Sequence, residues 1–178
     1  MCRWLDLGLL SILTLTGSDA AYARETRELC LDEKIESSEA IFIGRAVLLE
    51  EPSPHLAGVS QYAAVKVENV LKGNVADEVR FVVRGFSSEL NPPCCETDKV
   101  YLFFAKHGYE LLELSGTEIS STIQDQDRFL SGTNGPFSTF QIHDDIVAGW
   151  NVGNTCGSTS ASVADVQTCI RSKVSAGR

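Results

Sequence analysis

The strongest constraint on this chain lies between Tyr62 and Arg84, a stretch that reads YAAVKVENVLKGNVADEVRFVVR. Ala63, Val65 and Val67 alternate with Ala64, Lys66 and Glu68. Beyond Lys72-Gly73-Asn74, the apolar Val79, Phe81 and Val83 alternate with Arg80, Val82 and Arg84. A period of two, interrupted by turn residues, predicts two half-buried antiparallel strands. Paired, they leave one apolar face that the rest of the chain must cover.

The neighbouring segments supply that cover. Ala40 to Glu50, AIFIGRAVLLE, reads as a long strand, and Gly44 in its middle predicts a bulge or a sharp bend. Lys99 to Ala105, KVYLFFA, is apolar on both faces and is expected to be the most buried strand. His107-Gly108 reads as a turn, after which Tyr109 to Leu114 returns as a strand. Residues 115–139 are rich in Ser, Thr, Gly, Asp and Gln and read as a surface excursion, with an edge hairpin from Phe137 to Ile142. Asp145 to Val152 is the last expected strand, with Trp150 capping the core. Leu31 and Ile35, four apart, mark a short helix before the strands. Val163, Val166, Ile170 and Val174 mark one face of a helix after them, and Ser162 with Asp165 resembles its N-terminal cap. This tally predicts a mainly β fold: a five-stranded, partly closed Greek-key barrel with both helices packed against it. An open antiparallel sheet or a small sandwich is the alternative.

The first residues read as a targeting segment. Arg3 precedes a mostly apolar run from Leu5 to Thr16, and Ala21-Tyr22-Ala23 places small residues at the −3 and −1 positions of a cleavage site. We therefore divide the chain into a signal peptide, residues 1–23, and a single domain, residues 24–178. The apolar run is too short to span a bilayer, and no other stretch is long and apolar enough. The expected location is extracytoplasmic, secreted or periplasmic, without membrane insertion after cleavage. The formal net charge is −9. Nucleic acids and anionic membranes require clustered positive charge, so neither is an expected partner.

Beyond the leader the chain carries Cys30, Cys94, Cys95, Cys156 and Cys169. An exported protein meets an oxidising compartment, so disulfides are the expected state. Five is an odd number, which predicts two bridges and one thiol. Disulfide geometry disfavours a vicinal Cys94–Cys95 bond. A metal site is disfavoured too, since no C-x-x-C pair and no histidine at ligand spacing accompanies these cysteines. No cofactor is implied.

A search for catalytic groups assigns none. The chain has no G-x-S-x-G, no H-E-x-x-H, no phosphate-binding glycine loop and no EF-hand loop. His55 and His107 read as exposed loop and turn residues. His143-Asp144-Asp145 is the densest polar cluster, but adjacent residues of an extended segment point apart, which favours a solvated turn over a cation site. Ser87 and Ser88 have no neighbouring base.

Several segments occur in a familiar order. They are SEAIFIGRAV from Ser38, VKVENVLKG from Val65, DEVRFVV from Asp77, a cysteine-containing loop, VYLFFA from Val100, and Asn154-Thr155-Cys156 before a helix. This order resembles the tissue inhibitor of metalloproteinases and netrin-like family over most of residues 24–178, apart from 115–150. The resemblance implies an OB-type barrel held by disulfides, with Cys156 pairing back to the N-terminal segment. It implies Cys30–Cys156, and Cys169 with Cys94 or Cys95; Cys30 with the 94/95 loop is the alternative. In that family a first-position cysteine presents its amino group and carbonyl to a protease's zinc, which makes Cys30 the candidate ligand contact. Here Arg24 to Leu29 precede Cys30, and one cysteine stands where the family has Cys-x-Cys. The resulting expectation is a non-enzymatic binding module for a protein or peptide, contacted by rim loops or the 115–139 excursion. The alternatives are a metalloprotease inhibitor processed to Cys30, or a small metal-dependent enzyme using His143, Asp144 and Asp145.

Overall fold

The alternation between Tyr62 and Arg84 becomes a strand pair, β2 (Val59–Lys72) against β3 (Glu78–Gly85), in the computed structural model. The structure describes residues 27–51, 59–85, 91–107, 129–150 and 161–177. Ala63 faces Phe81 and Val65 faces Val79 across the ladder, so the apolar members of both strands share one face. That face is the inside of a barrel. β1 (Ala40–Glu50) pairs antiparallel with β2 and with β4 (Val100–His107). A short β5 (Phe129–Gly132) pairs antiparallel with β4 and parallel with β3. The ring is therefore β1-β2-β3-β5-β4-β1, a closed five-stranded barrel of OB type. β6 (Thr139–His143) and β7 (Ile146–Val147) extend the sheet beyond β4.

Two apolar layers meet at the wall formed by β1 and β4. Phe42, Phe81, Tyr101 and Phe103 fill the interior, with Phe42 stacked on Phe103 at 4.9 Å and Phe81 edge-on to it at 4.8 Å. Outside the same wall, Ile41, Ile43, Leu102 and Phe104 pack against Leu31 and Ile35 of α1 (Leu31–Ser37) and Val166 and Ile170 of α2 (Val163–Ala176). Each fully buried side chain of this size contributes roughly 1.5–3 kcal/mol. Tyr101 to Ala105 of this segment is thus buried on both faces, as its composition predicts, while Lys99 stays exposed. β1 bends at Gly44, where its register with β2 shifts. A Cβ there would meet the Val65 side chain at 2.6 Å and the Lys66 carbonyl at 2.9 Å, so only glycine allows so close an approach.

The helix ends follow from their sequences. Ser162 Oγ accepts from Asp165 N at 3.2 Å, closing the N-terminus of α2. The Lys72 ammonium donates to the carbonyls of Ile35 and Ser38, which neutralises the C-terminal end of α1. Lys173 and Asp32 join the two helices.

Four expectations need correction. The closing strand of the barrel, Phe129-Leu130-Ser131-Gly132, lies inside the stretch expected to be a surface excursion. Only two of its four residues are large and apolar, so local composition hides a segment that its neighbours pair on both sides. The expected edge hairpin moves: Phe137 belongs to a 3-10 turn (Gly135–Phe137), and the hairpin is β6 with β7 around Asp144-Asp145. The expected last strand shortens to Ile146–Val147, although Trp150 does pack edge-on to Phe140 at 5.4 Å. Tyr109 to Leu114 lies outside the described residues.

The fourth correction concerns sulfur. Cys94 and Cys95 are bonded to each other, not to Cys169 or Cys30. The reason is the double layer. Residues 91–99 fold over the barrel interior, where Cys95 is buried, whereas Cys169 packs in the outer layer on the other side of the β1–β4 wall. Cys30 and Cys169 are each disulfide-bonded, so no described cysteine is a free thiol. Cys156 lies outside the described residues.

The turn after β2 carries a testable constraint. Gly73 has φ +81°, and a Cβ there would sit 2.3 Å from the Glu39 carbonyl. Gly73→Ala is expected to destabilise the fold by about 2 kcal/mol or more, read as a lowered denaturant midpoint with unchanged slope.

Candidate functional site at the mouth of the barrel

Antiparallel pairing brings the start of β1 beside the end of β4. Glu39 N donates to the Ala105 carbonyl at 2.9 Å, and His107 N donates to Glu39 Oε2 at 2.8 Å. The His107 imidazole Nε2 stands 3.7 Å from the same carboxylate oxygen, with both side chains about half exposed. Across the opening, the β2–β3 turn (Asn74, Val75, Ala76) and the first residues of β3 (Glu78, Val79) form the other side. Together with Ala40 and Leu130 these residues enclose a cleft of about 600 Å³. Its floor is the end of the barrel core, since Ala40, Val79 and Leu130 are interior residues and Val75 packs against them. Its rim carries two carboxylates, an imidazole and the Asn74 amide.

Such a cleft has the size and the apolar lining of a ligand site, and barrel mouths are a common place for one. Its described lining includes no serine, threonine or cysteine, hence no side-chain hydroxyl or thiol for His107 to activate. No group of three or more metal-ligating side chains occurs among the described residues. The described arrangement offers an apolar floor and a charged rim to a ligand.

Of the residues weighed in the sequence, His107, read there as a turn residue, is the last residue of β4 and lines the cleft, whereas the other described ones lie elsewhere. Cys30 caps α1: its N–H donates to Glu33 Oε2 at 3.0 Å, and its carbonyl accepts from Lys34 N at 2.9 Å. Both backbone groups that the inhibitor reading requires are engaged within the first turn. His143, Asp144 and Asp145 form the β6–β7 turn, with Asp144 and Asp145 at φ +48° and +61°. Two successive left-handed residues match the twist of a tight hairpin, and aspartate tolerates that conformation. The His143 and Asp144 side chains are 78% and 86% exposed, so this cluster is a solvated turn. His55, Ser87 and Ser88 lie outside the described residues.

Glu39 and His107 are 68 residues apart, and only the β1–β4 register joins them. No local pattern reveals that the two meet. Asn134 is also illegible in the sequence, where it sits in a Gly-Thr-Asn-Gly-Pro stretch that reads as loop. In the fold it is buried, and its amide holds the N-terminal segment. Leu29 N donates to Asn134 Oδ1 at 2.8 Å, and Asn134 Nδ2 donates to the Arg27 carbonyl at 3.0 Å. Two ion pairs assist. Arg27 grips Glu33 at 2.8 Å, and Lys34 reaches Glu28 at 2.9 Å while lying over the Phe140 ring. The hydrogen bond from Arg27 holds the Glu33 carboxyl below the usual range, assisted by the Cys30 N–H. Burial pulls the Lys34 ammonium below the ordinary lysine range, and Glu28 works against that shift.

Asn134→Ala removes both amide contacts. The variant is expected to lose about 1–3 kcal/mol of stability and to exchange the Leu29 amide hydrogen faster, measured by denaturation and hydrogen exchange. Comparison with models of known protein families gives no match for this chain, and comparison with characterised proteins gives none.

Proposed function

We propose that this protein is an extracytoplasmic, non-enzymatic binding module that takes a protein or peptide segment at the mouth of its barrel. The observation that carries this reading is the cleft itself. The buried core residues Ala40, Val79 and Leu130 line an opening of about 600 Å³ whose described rim carries Glu39, Asn74, Glu78 and His107. A concave opening with apolar side chains at its base and a few polar groups at its rim is the usual form of a ligand site. The leader-like first residues, the oxidised cysteines and the resemblance to the tissue inhibitor of metalloproteinases and netrin-like family support the same reading.

The inhibitor reading has less support. A zinc-binding N-terminus at Cys30 would have to release its amide from Glu33 and its carbonyl from Lys34. The exported protein is accordingly expected to begin near Arg24 when its terminus is sequenced; a terminus at Cys30 would restore the inhibitor reading. A metal-dependent enzyme has less support still, because His143, Asp144 and Asp145 are splayed around an exposed turn.

The cleft reading is tested by selecting random peptides on the immobilised protein, with an Ala76→Trp variant as the plugged control. Ala76 is an exposed turn residue on the cleft wall, so a large ring there fills the opening without entering the core. Selected peptides are expected to bind at least about tenfold more weakly to Ala76→Trp. Peptides that bind both proteins equally, or a selection that enriches none, would remove the mouth as the binding site.

A further inference from the structure

The described lining of the mouth carries carboxylates beside one imidazole. Glu39 and Glu78 stand on its rim, and no lysine or arginine lines it among the described residues. Glu39 Oε2 is engaged by His107 N, whereas Oε1 has no hydrogen bond among the described residues. Glu78 is exposed at the start of β3 and has no ion pair among them. The nearby Lys72 ammonium is turned away, onto the carbonyls at the end of α1. Beneath the carboxylates the floor is apolar, with Val75, Val79 and Leu130. The whole chain is acidic at net −9, so its field favours the approach of cations.

Resting on the binding reading above, we infer that the occupant is a peptide segment presenting an arginine or lysine beside an apolar residue. The apolar side chain covers Val75, Val79 and Leu130, and the cation reaches the Glu39 and Glu78 carboxylates. A guanidinium suits this site best, because its planar fork pairs with a carboxylate while its stem lies along apolar surface. A metal ion suits it poorly: two carboxylates, even if bidentate, fall short of the roughly six to eight oxygens that a cation such as calcium takes. The open rim leaves the charges in contact with water, so their contribution to affinity is modest and falls with salt.

The test uses the full chain after leader removal and three capped pentapeptides, Gly-Leu-X-Leu-Gly with X as arginine, glutamine or glutamate. Binding is followed by amide chemical shifts at about 20 mM and about 300 mM salt, where the screening length falls roughly fourfold. The arginine peptide is expected to shift Val75, Val79 and Leu130. It should bind about five- to tenfold more tightly than the glutamine peptide at low salt, and nearly equally at high salt. In Glu39→Gln/Glu78→Gln, which keeps the acceptor for His107 N, the two peptides should bind alike. Equal affinity of the arginine and glutamine peptides for the unaltered protein removes the cation preference and leaves the mouth as a binding site. A preference that survives the double variant, or shifts that fall elsewhere, overturns the inference. So does the absence of shifts from all three peptides, in which case the Ala76→Trp selection decides the binding reading separately.

Discussion

Strand β1 is hydrogen-bonded along both edges and buried on both faces over its first half, and the rest of the molecule depends on that placement. Its partnership with β4 closes the ring. Without it the sheet would be an open, mixed sheet with an unpaired β1 edge, the arrangement that proteins otherwise have to protect. With it, one wall separates two apolar layers. Phe42 and Phe103 meet on the inside, and Ile41, Phe104 and the helices meet on the outside. A strand that serves both layers has no polar alternation to read, which is why AIFIGRAV and VYLFFA are nearly continuous apolar runs.

The same pairing builds the candidate site. Because β1 starts where β4 ends, Glu39 and His107 are brought together at the barrel mouth, and the turn after β2 completes the opposite wall. Gly73 fits this corner since its positive φ and missing Cβ let the turn lie against the Glu39–Ala40 backbone. The rim thus stands on paired strand ends and a glycine-specific turn, a favourable base for a site that must hold its shape. At the N-terminal side, Asn134 and the Lys34–Glu28 pair hold residues 27–30 against the barrel, so Cys30 serves as a helix cap within a fixed segment.

The sulfur pattern shows how layer membership overrides spacing. Cys94 and Cys95 belong to the interior and Cys169 to the exterior, and a closed wall lies between them. Any pairing derived from sequence order has to guess on which side of that wall each cysteine falls. A pairing taken from family likeness makes the same guess, and for the 94/95 loop it comes out differently from the bond that forms.

The sequence by itself determined the local elements wherever periodicity was strong. Alternation from Ala63 to Val83 specified β2 and β3 with their inward faces, Gly44 marked the bend, and the stripe from Val163 to Val174 with its Ser162 cap specified α2. These signals are local because side-chain periods of two and 3.6 are properties of a single element. Tertiary structure alone decided the closing strand, the vicinal sulfur pair and the mouth. Phe129–Gly132 is a strand because β3 and β4 present free edges to it, not because its own four residues favour one. Glu39, Glu78 and His107 form a rim because non-local pairing brings distant strand ends to one opening. Such contacts are set by loop closure and shared burial across the whole barrel, and no short window of sequence carries that information.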